Sequence, residues 1–300
     1  MVLAGACERA AAPRANDTAA ATPSAGGVVV EPAIVNYHGW PVEEAGPALA
    51  VAAGSVETAM VVLPQYTDST LSEGAPVDVD ALQGLTVDLF APSGFLGTAR
   101  LRIIPSSPRP GCTGWPVAEI VSDSLLPPWT VALQAGHATA LEIDSLSALS
   151  PRDSAKVAAD LARVASALPE DPRSPFRGLP FVVRSALRFS PEPGREAIVA
   201  DVVRRLGIEA DPRAEHVLLV VERPTGNAAA RYEAVYVERV RGLEETVETT
   251  ALLAALLLGH ERRPTLVLSR DYGDGTSYAL LERGGDDRWR LRWSSAYAGC

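Results

Sequence analysis

TLVLSRDYGDGTSYALLERGGDDRWRLRWS, residues 265–294, holds three short apolar runs separated by two glycine–aspartate turns. Thr265–Arg270, Ser277–Arg283 and Trp289–Ser294 carry the branched and aromatic residues that suit a pleated, half-buried surface. Gly273-Asp274-Gly275 and Gly284-Gly285-Asp286-Asp287 supply the permissive backbone that hairpin connections need. The stretch predicts an antiparallel meander, and the same grammar runs outward from it.

Toward the N-terminus, Phe181–Phe189, Val217–Glu222 and Tyr232–Val240 read as further strands, with a turn at Pro191-Glu192-Pro193-Gly194. Ala197–Leu206 fits either a strand or a helix, and Thr249–Leu258 is helix-like by composition. One helix stands out before them. Ser150 can cap it, Pro151 suits its first position, and Asp153 sits at its third. Val157, Leu161, Val164 and Leu168 recur at helical spacing, and Pro169 ends the run. Residues 169–180 are a proline-rich link.

The first half repeats the pattern of short runs. Val28–Val35, Thr58–Leu63, Thr86–Phe90, Ala99–Ile104, Val117–Val121, Trp129–Gln134 and Ala138–Ile143 are candidate strands, and Ala48–Ala53 is ambiguous. The expected fold is mainly β (α+β). A sandwich- or barrel-like domain over residues 28–149 and an antiparallel domain over 181–300, with one possible helix, are joined across 150–180 by one amphipathic helix. No internal repeat appears.

Composition narrows the function classes. The chain has 37 acidic and 27 basic residues, a net charge of −10. Residues 1–150 hold 15 acidic and 5 basic side chains, so no basic surplus faces a phosphate backbone and nucleic-acid partners are disfavoured. Lys156 is the sole lysine, so arginine carries nearly all the positive charge. No apolar run approaches the roughly 18 residues of a spanning helix.

The chain opens Met1-Val2-Leu3-Ala4-Gly5-Ala6-Cys7. Small residues directly before a cysteine resemble the lipobox of bacterial lipoproteins, over Leu3 to Cys7 only. Ala4 stands where that family usually has leucine, and the basic and apolar regions of a signal peptide are missing, so the true start is expected upstream. The resemblance implies lipidation of Cys7 and attachment to a lipid bilayer at the periplasmic face of the cell envelope. Glu8 after the cysteine is compatible with the outer membrane in that family. Residues 8–27 lack Leu, Ile, Val and aromatic residues and read as a disordered tether, so residues 1–27 form a truncated signal plus tether. With Cys7 lipidated, Cys112 and Cys300 remain as an even pair, and an oxidising envelope would allow a disulfide between them.

Catalytic signatures are missing. There is no G-x-S-x-G elbow, H-E-x-x-H, EF-hand, Walker A lysine or G-x-G-x-x-G, and no cofactor is expected. His38, His137, His216 and His260 are scattered. Asp271 and Asp274 offer two carboxylates to a metal such as calcium, but read first as a turn. In Arg288-Trp289-Arg290-Leu291-Arg292-Trp293, alternation would put Trp289 and Trp293 on one face and Arg288, Arg290 and Arg292 on the other. An exposed tryptophan face would stack on sugar rings or enter a partner's pocket, and the arginines would grip carboxylates. Alternatively the tryptophans lie in the core and the arginines pair with acids such as Glu282. The expectation is a non-catalytic envelope lipoprotein that binds or assembles with an envelope protein or glycan. The alternatives are a hydrolase whose residues converge only in three dimensions, and a glycan- or peptidoglycan-binding module.

Overall fold

The computed structural model describes residues 39–64, 66, 79–104, 114–207, 211–227 and 229–299. After a short turn of helix, α1 (Val42–Ala45), come β1 (Leu49–Ala52), β2 (Thr58–Val62), β3 (Thr86–Ala91), β4 (Gly94–Ile104), β5 (Val117–Val121) and β6 (Val131–Gln134). They close into an antiparallel barrel in the order β1-β2-β5-β4-β3-β6, with β6 returning to pair with β1. Alternation along the strands buries Ala59 and Val61, Val87 and Leu89, and Ala118 and Ile120. A barrel this small is filled by its own side chains. The expected strand Val28–Val35 and the turn at residues 106–111 lie outside the described residues.

The chain leaves the barrel through two short strands, β7 (Ala138–Ala140) and β8 (Ile143–Ser145), before the helix α2 (Pro151–Ser166). The Ser150 hydroxyl accepts the Asp153 backbone N–H at 3.2 Å, and Pro151 takes the first turn, as the sequence predicts. Then follow β9 (Val182–Phe189), β10 (Arg195–Leu206), β11 (Arg213–Pro224), β12 (Glu233–Leu243), β13 (Thr249–Leu258), β14 (Arg263–Asp271), β15 (Gly275–Arg283), β16 (Trp289–Ser294) and β17 (Ala298–Gly299). One sheet runs β12-β11-β10-β9-β8, and the other runs β16-β15-β14-β13-β7 with β17 added on β15. Among the described residues no helix is long and apolar enough to cross a membrane.

Strand parity stacks these units in four layers. Ile198, Ala200, Val202, Val217, Leu219 and Val221 pack under Leu161, Val164 and Ala165 of α2. Ala197, Val199, Leu218 and Val220, on the opposite face, meet Leu266, Leu268, Ala279 and Leu281 of the second sheet. The far face of that sheet, with Leu256, Leu258, Val267, Leu280 and Trp293, joins the barrel core. The order is helix, sheet, sheet, barrel.

This layering corrects one expectation. Thr249–Leu258 is strand β13, paired residue by residue with β14, and no helix stands there. Ala254, Leu256 and Leu258 face the barrel while Ala255 faces the other sheet. A strand covered on both faces loses its alternation and reads as a continuous apolar run, the composition of a buried helix. The ambiguous Ala197–Leu206 lies within β10 for the same reason.

Candidate functional site

The helix-facing side of the first sheet turns from apolar to charged where α2 ends. Arg204 of β10 lies directly opposite Glu215 of β11, and Glu215 lies opposite Arg241 of β12. Two residues back along β12, on the same face, is Arg239. Register therefore builds a row of three strands with a carboxylate between two guanidiniums, the pairing that stabilises adjacent strands. Glu170, just after the helix, adds a second carboxylate.

Every member is held. Arg204 donates to both Glu215 and Glu170, and its guanidinium stands 4.6 Å from the Phe181 ring centroid. Arg241 donates to Glu215. Arg239 donates Nη1 to the Pro169 carbonyl at 3.1 Å, and its Nε lies 3.6 Å from Glu215. Glu215 has no exposed surface, and only 7% of Arg239 is exposed. Burial above all holds the Arg239 guanidinium below the ordinary arginine range. Arg241 and Arg204 push it the same way, and Glu215 and Glu170 oppose them.

Beside this cluster lies a cavity of about 270 Å³. Ala165, Leu168, Leu179, Pro180 and Phe181 form its apolar walls, and Ser166, Glu170, Arg204 and Arg239 its polar side. Three guanidiniums thus face two carboxylates, one positive charge in excess. Among the described residues, Nη2 of Arg239 takes no hydrogen bond. A larger cleft of about 500 Å³ is lined by Glu142, Asp144, Arg188, Phe189, Ser190 and Glu196. Three of its charges are already paired: Arg188 donates to Asp144 at 3.0 Å, and Glu196 takes Arg223 at 2.7 Å together with the Tyr232 hydroxyl.

No family model, curated protein or solved structure matches this chain. The arrangement of residues alone carries the functional argument.

The residues singled out in sequence have other settings. A bulge leaves Arg292 as the extra residue of β16, with Leu280 opposite Trp293 and Leu281 opposite Leu291. A one-residue shift sends the following side chain to the other face. Trp289 consequently enters the core between the sheets, donating to Glu222 at 2.7 Å, with the Phe189 ring 5.9 Å away. Trp293 enters the barrel core, edge-on to Trp40 at 4.7 Å. The expectation of one shared tryptophan face is corrected: the two are buried on opposite sides of the sheet. Arg292 bridges Glu44 and Glu282, Arg290 pairs with Asp286 in the open, and Arg288 is exposed. Asp271 accepts the Gly273 N–H at 3.0 Å and Asp274 accepts the Tyr297 hydroxyl, so both serve the β14–β15 turn. Among the described residues no group of three His, Cys, Asp or Glu side chains could hold a metal ion. Cys7, Cys112 and Cys300 lie outside the described residues.

A hydrolytic site of the triad type would need a histidine, a carboxylate and a nucleophile around a cavity. His216 Nδ1 does meet Asp201 at 3.1 Å, and a bulge on β9 brings Arg184 to Asp201 at 3.1 Å. None of the three lines either cleft. The arginine row was missed in sequence because charged residues inside apolar strands read as outward-facing. The available signal was parity: Arg204 shares it with the buried Val202, and Glu215 with the buried Val217.

Proposed function

We propose that this chain is a non-catalytic binding protein of the bacterial cell envelope, tethered to a lipid bilayer through lipidated Cys7, and that its arginine-lined pocket holds an anion. The tether is supported by the run Leu3–Cys7 and by residues 8–27 behind it. Arg239 carries the ligand reading. It is a buried guanidinium in a cluster with one excess positive charge, with hydrogen-bond donors left for the cavity beside it. Its pairing with Glu215 is loose, at 3.6 Å, and a bound anion would add charge-assisted hydrogen bonds to it.

Calorimetric titration with small carboxylates and inorganic phosphate tests the pocket. Wild type is expected to show saturable binding that raises its melting temperature, as any ligand preferring the folded state does. Arg239→Met should abolish it while the protein stays folded. Silence of the wild type toward all of them ends the ligand reading, and equal binding by the variant places the anion elsewhere. The tether is tested separately, by mass spectrometry of the N-terminal peptide from membrane-extracted protein. An acylated Cys7 is expected, and an unmodified thiol refutes that part.

A further inference from the structure

We infer that the anion is a small amphipathic monocarboxylate: one carboxylate on a compact apolar body. This deepens the anion reading above and rests on it.

The charge of the pocket sets the charge of the ligand. Arg204, Arg239 and Arg241 exceed Glu170 and Glu215 by one, so a single negative charge leaves the cluster neutral. A dianion such as phosphate near neutral pH would overshoot, and it would do so beside Glu170 on the cavity wall. Like charge brought against that carboxylate is a rejecting element, as much a part of specificity as the attractive one.

Donor geometry selects among monoanions. Arg204 gives Nε to Glu215 and an Nη2 hydrogen to Glu170. Arg239 points Nε toward Glu215 and gives one Nη1 hydrogen to Pro169. A guanidinium has five N–H donors in a fixed plane, so the second Nη1 hydrogen and both Nη2 hydrogens remain. Two parallel N–H bonds from a planar fork fit the two oxygens of a carboxylate.

The walls describe the rest. Ala165, Leu168, Leu179, Pro180 and Phe181 supply apolar lining beside the guanidiniums, and a ligand without an apolar body would leave them wet. A cleft of about 270 Å³ admits only a small ligand. A short aliphatic or aromatic carboxylate meets both requirements.

The experiment compares benzoate, octanoate, acetate and inorganic phosphate by calorimetric titration on the full chain. Benzoate or octanoate is expected to bind at least about tenfold more tightly than acetate or phosphate. Arg239→Lys keeps the charge but loses the planar fork, and should weaken carboxylate binding by about tenfold with the fold intact. Leu179→Ser should weaken octanoate and leave acetate unchanged. Phosphate binding best would overturn the monocarboxylate assignment and leave the anion reading standing. Acetate equal to octanoate would overturn the apolar body. Failure of all four ligands would overturn both.

Discussion

Glu215 shows how one residue can hold three strands. It has no exposed surface, and its two carboxylate oxygens face Arg204, Arg241 and Arg239. Alone, each of these groups would be expensive to bury; together they satisfy one another. The arrangement is asymmetric, because the guanidiniums outnumber the carboxylates. Glu215→Gln keeps the shape and removes the charge, leaving the arginines opposed only by the partly exposed Glu170. Removing one partner of a buried ion pair typically costs about 3–5 kcal/mol. Urea unfolding should show a loss of about that size, read as a lower midpoint with an unchanged slope. A change under about 1 kcal/mol would mean that water, not Glu215, compensates the arginines.

At the scale of elements, the crossing from β12 to β13 carries a second charged cluster. Glu248, just before β13, meets Arg270 of β14, which donates to Glu238 of β12 at 2.8 Å. The Tyr236 hydroxyl donates to Glu238 at 2.7 Å. Burial raises the Glu248 carboxyl above its ordinary 4.5; Tyr272 and Arg270 pull it down, and Glu238 pushes it further up. The sign follows. The unfolded chain releases this proton at lower pH than the folded one, so between the two pKa values the folded state binds more protons. Stability from this group therefore falls as pH rises above 4.5 and levels off above the folded value. Glu248→Gln removes that dependence. Its stability relative to wild type should climb as pH rises above 4.5 and then level off in urea unfolding, and a flat difference would refute the assignment. These elements also show where sequence is readable. Val117–Val121 is found at its true bounds because one strand face is buried and the other is not. The helix at 151–166 is marked by its cap and its period. Strand β13 hides because both faces are covered, and the arginine row hides because register, absent from any local window, sets Arg204 against Glu215. The bulge at Arg292 is equally silent, yet it decides which way Trp293 faces.

For the molecule as a whole, the question is whether barrel and sandwich are separate folding units. Their contact is a core, not a seam: Trp40, Leu49 and Val131 share one apolar cluster with Leu256, Val267, Leu280 and Trp293. Polar bonds cross the same contact. The Thr130 hydroxyl donates to the Leu253 carbonyl at 2.6 Å, the Gly259 N–H donates to the His137 carbonyl at 3.1 Å, and Arg292 ties Glu44 to Glu282. Gly259 fits for two reasons: its φ is +65°, and a Cβ there would stand 2.6 Å from the Glu44 side chain. Neither half can open without exposing part of the other's core, so one cooperative unfolding transition is expected, with calorimetric and van't Hoff enthalpies equal. Trp293→Ala then serves as the discriminating variant. Truncating a buried tryptophan costs about 3–5 kcal/mol. In a single unit that loss spreads. Hydrogen exchange should show the barrel amides of β1–β6 losing as much protection as those of β13–β16, although Trp293 belongs to neither β1–β6 nor their turns. Protection unchanged in the barrel, or two resolved heat-absorption peaks, would make the barrel an independent domain resting on the sandwich.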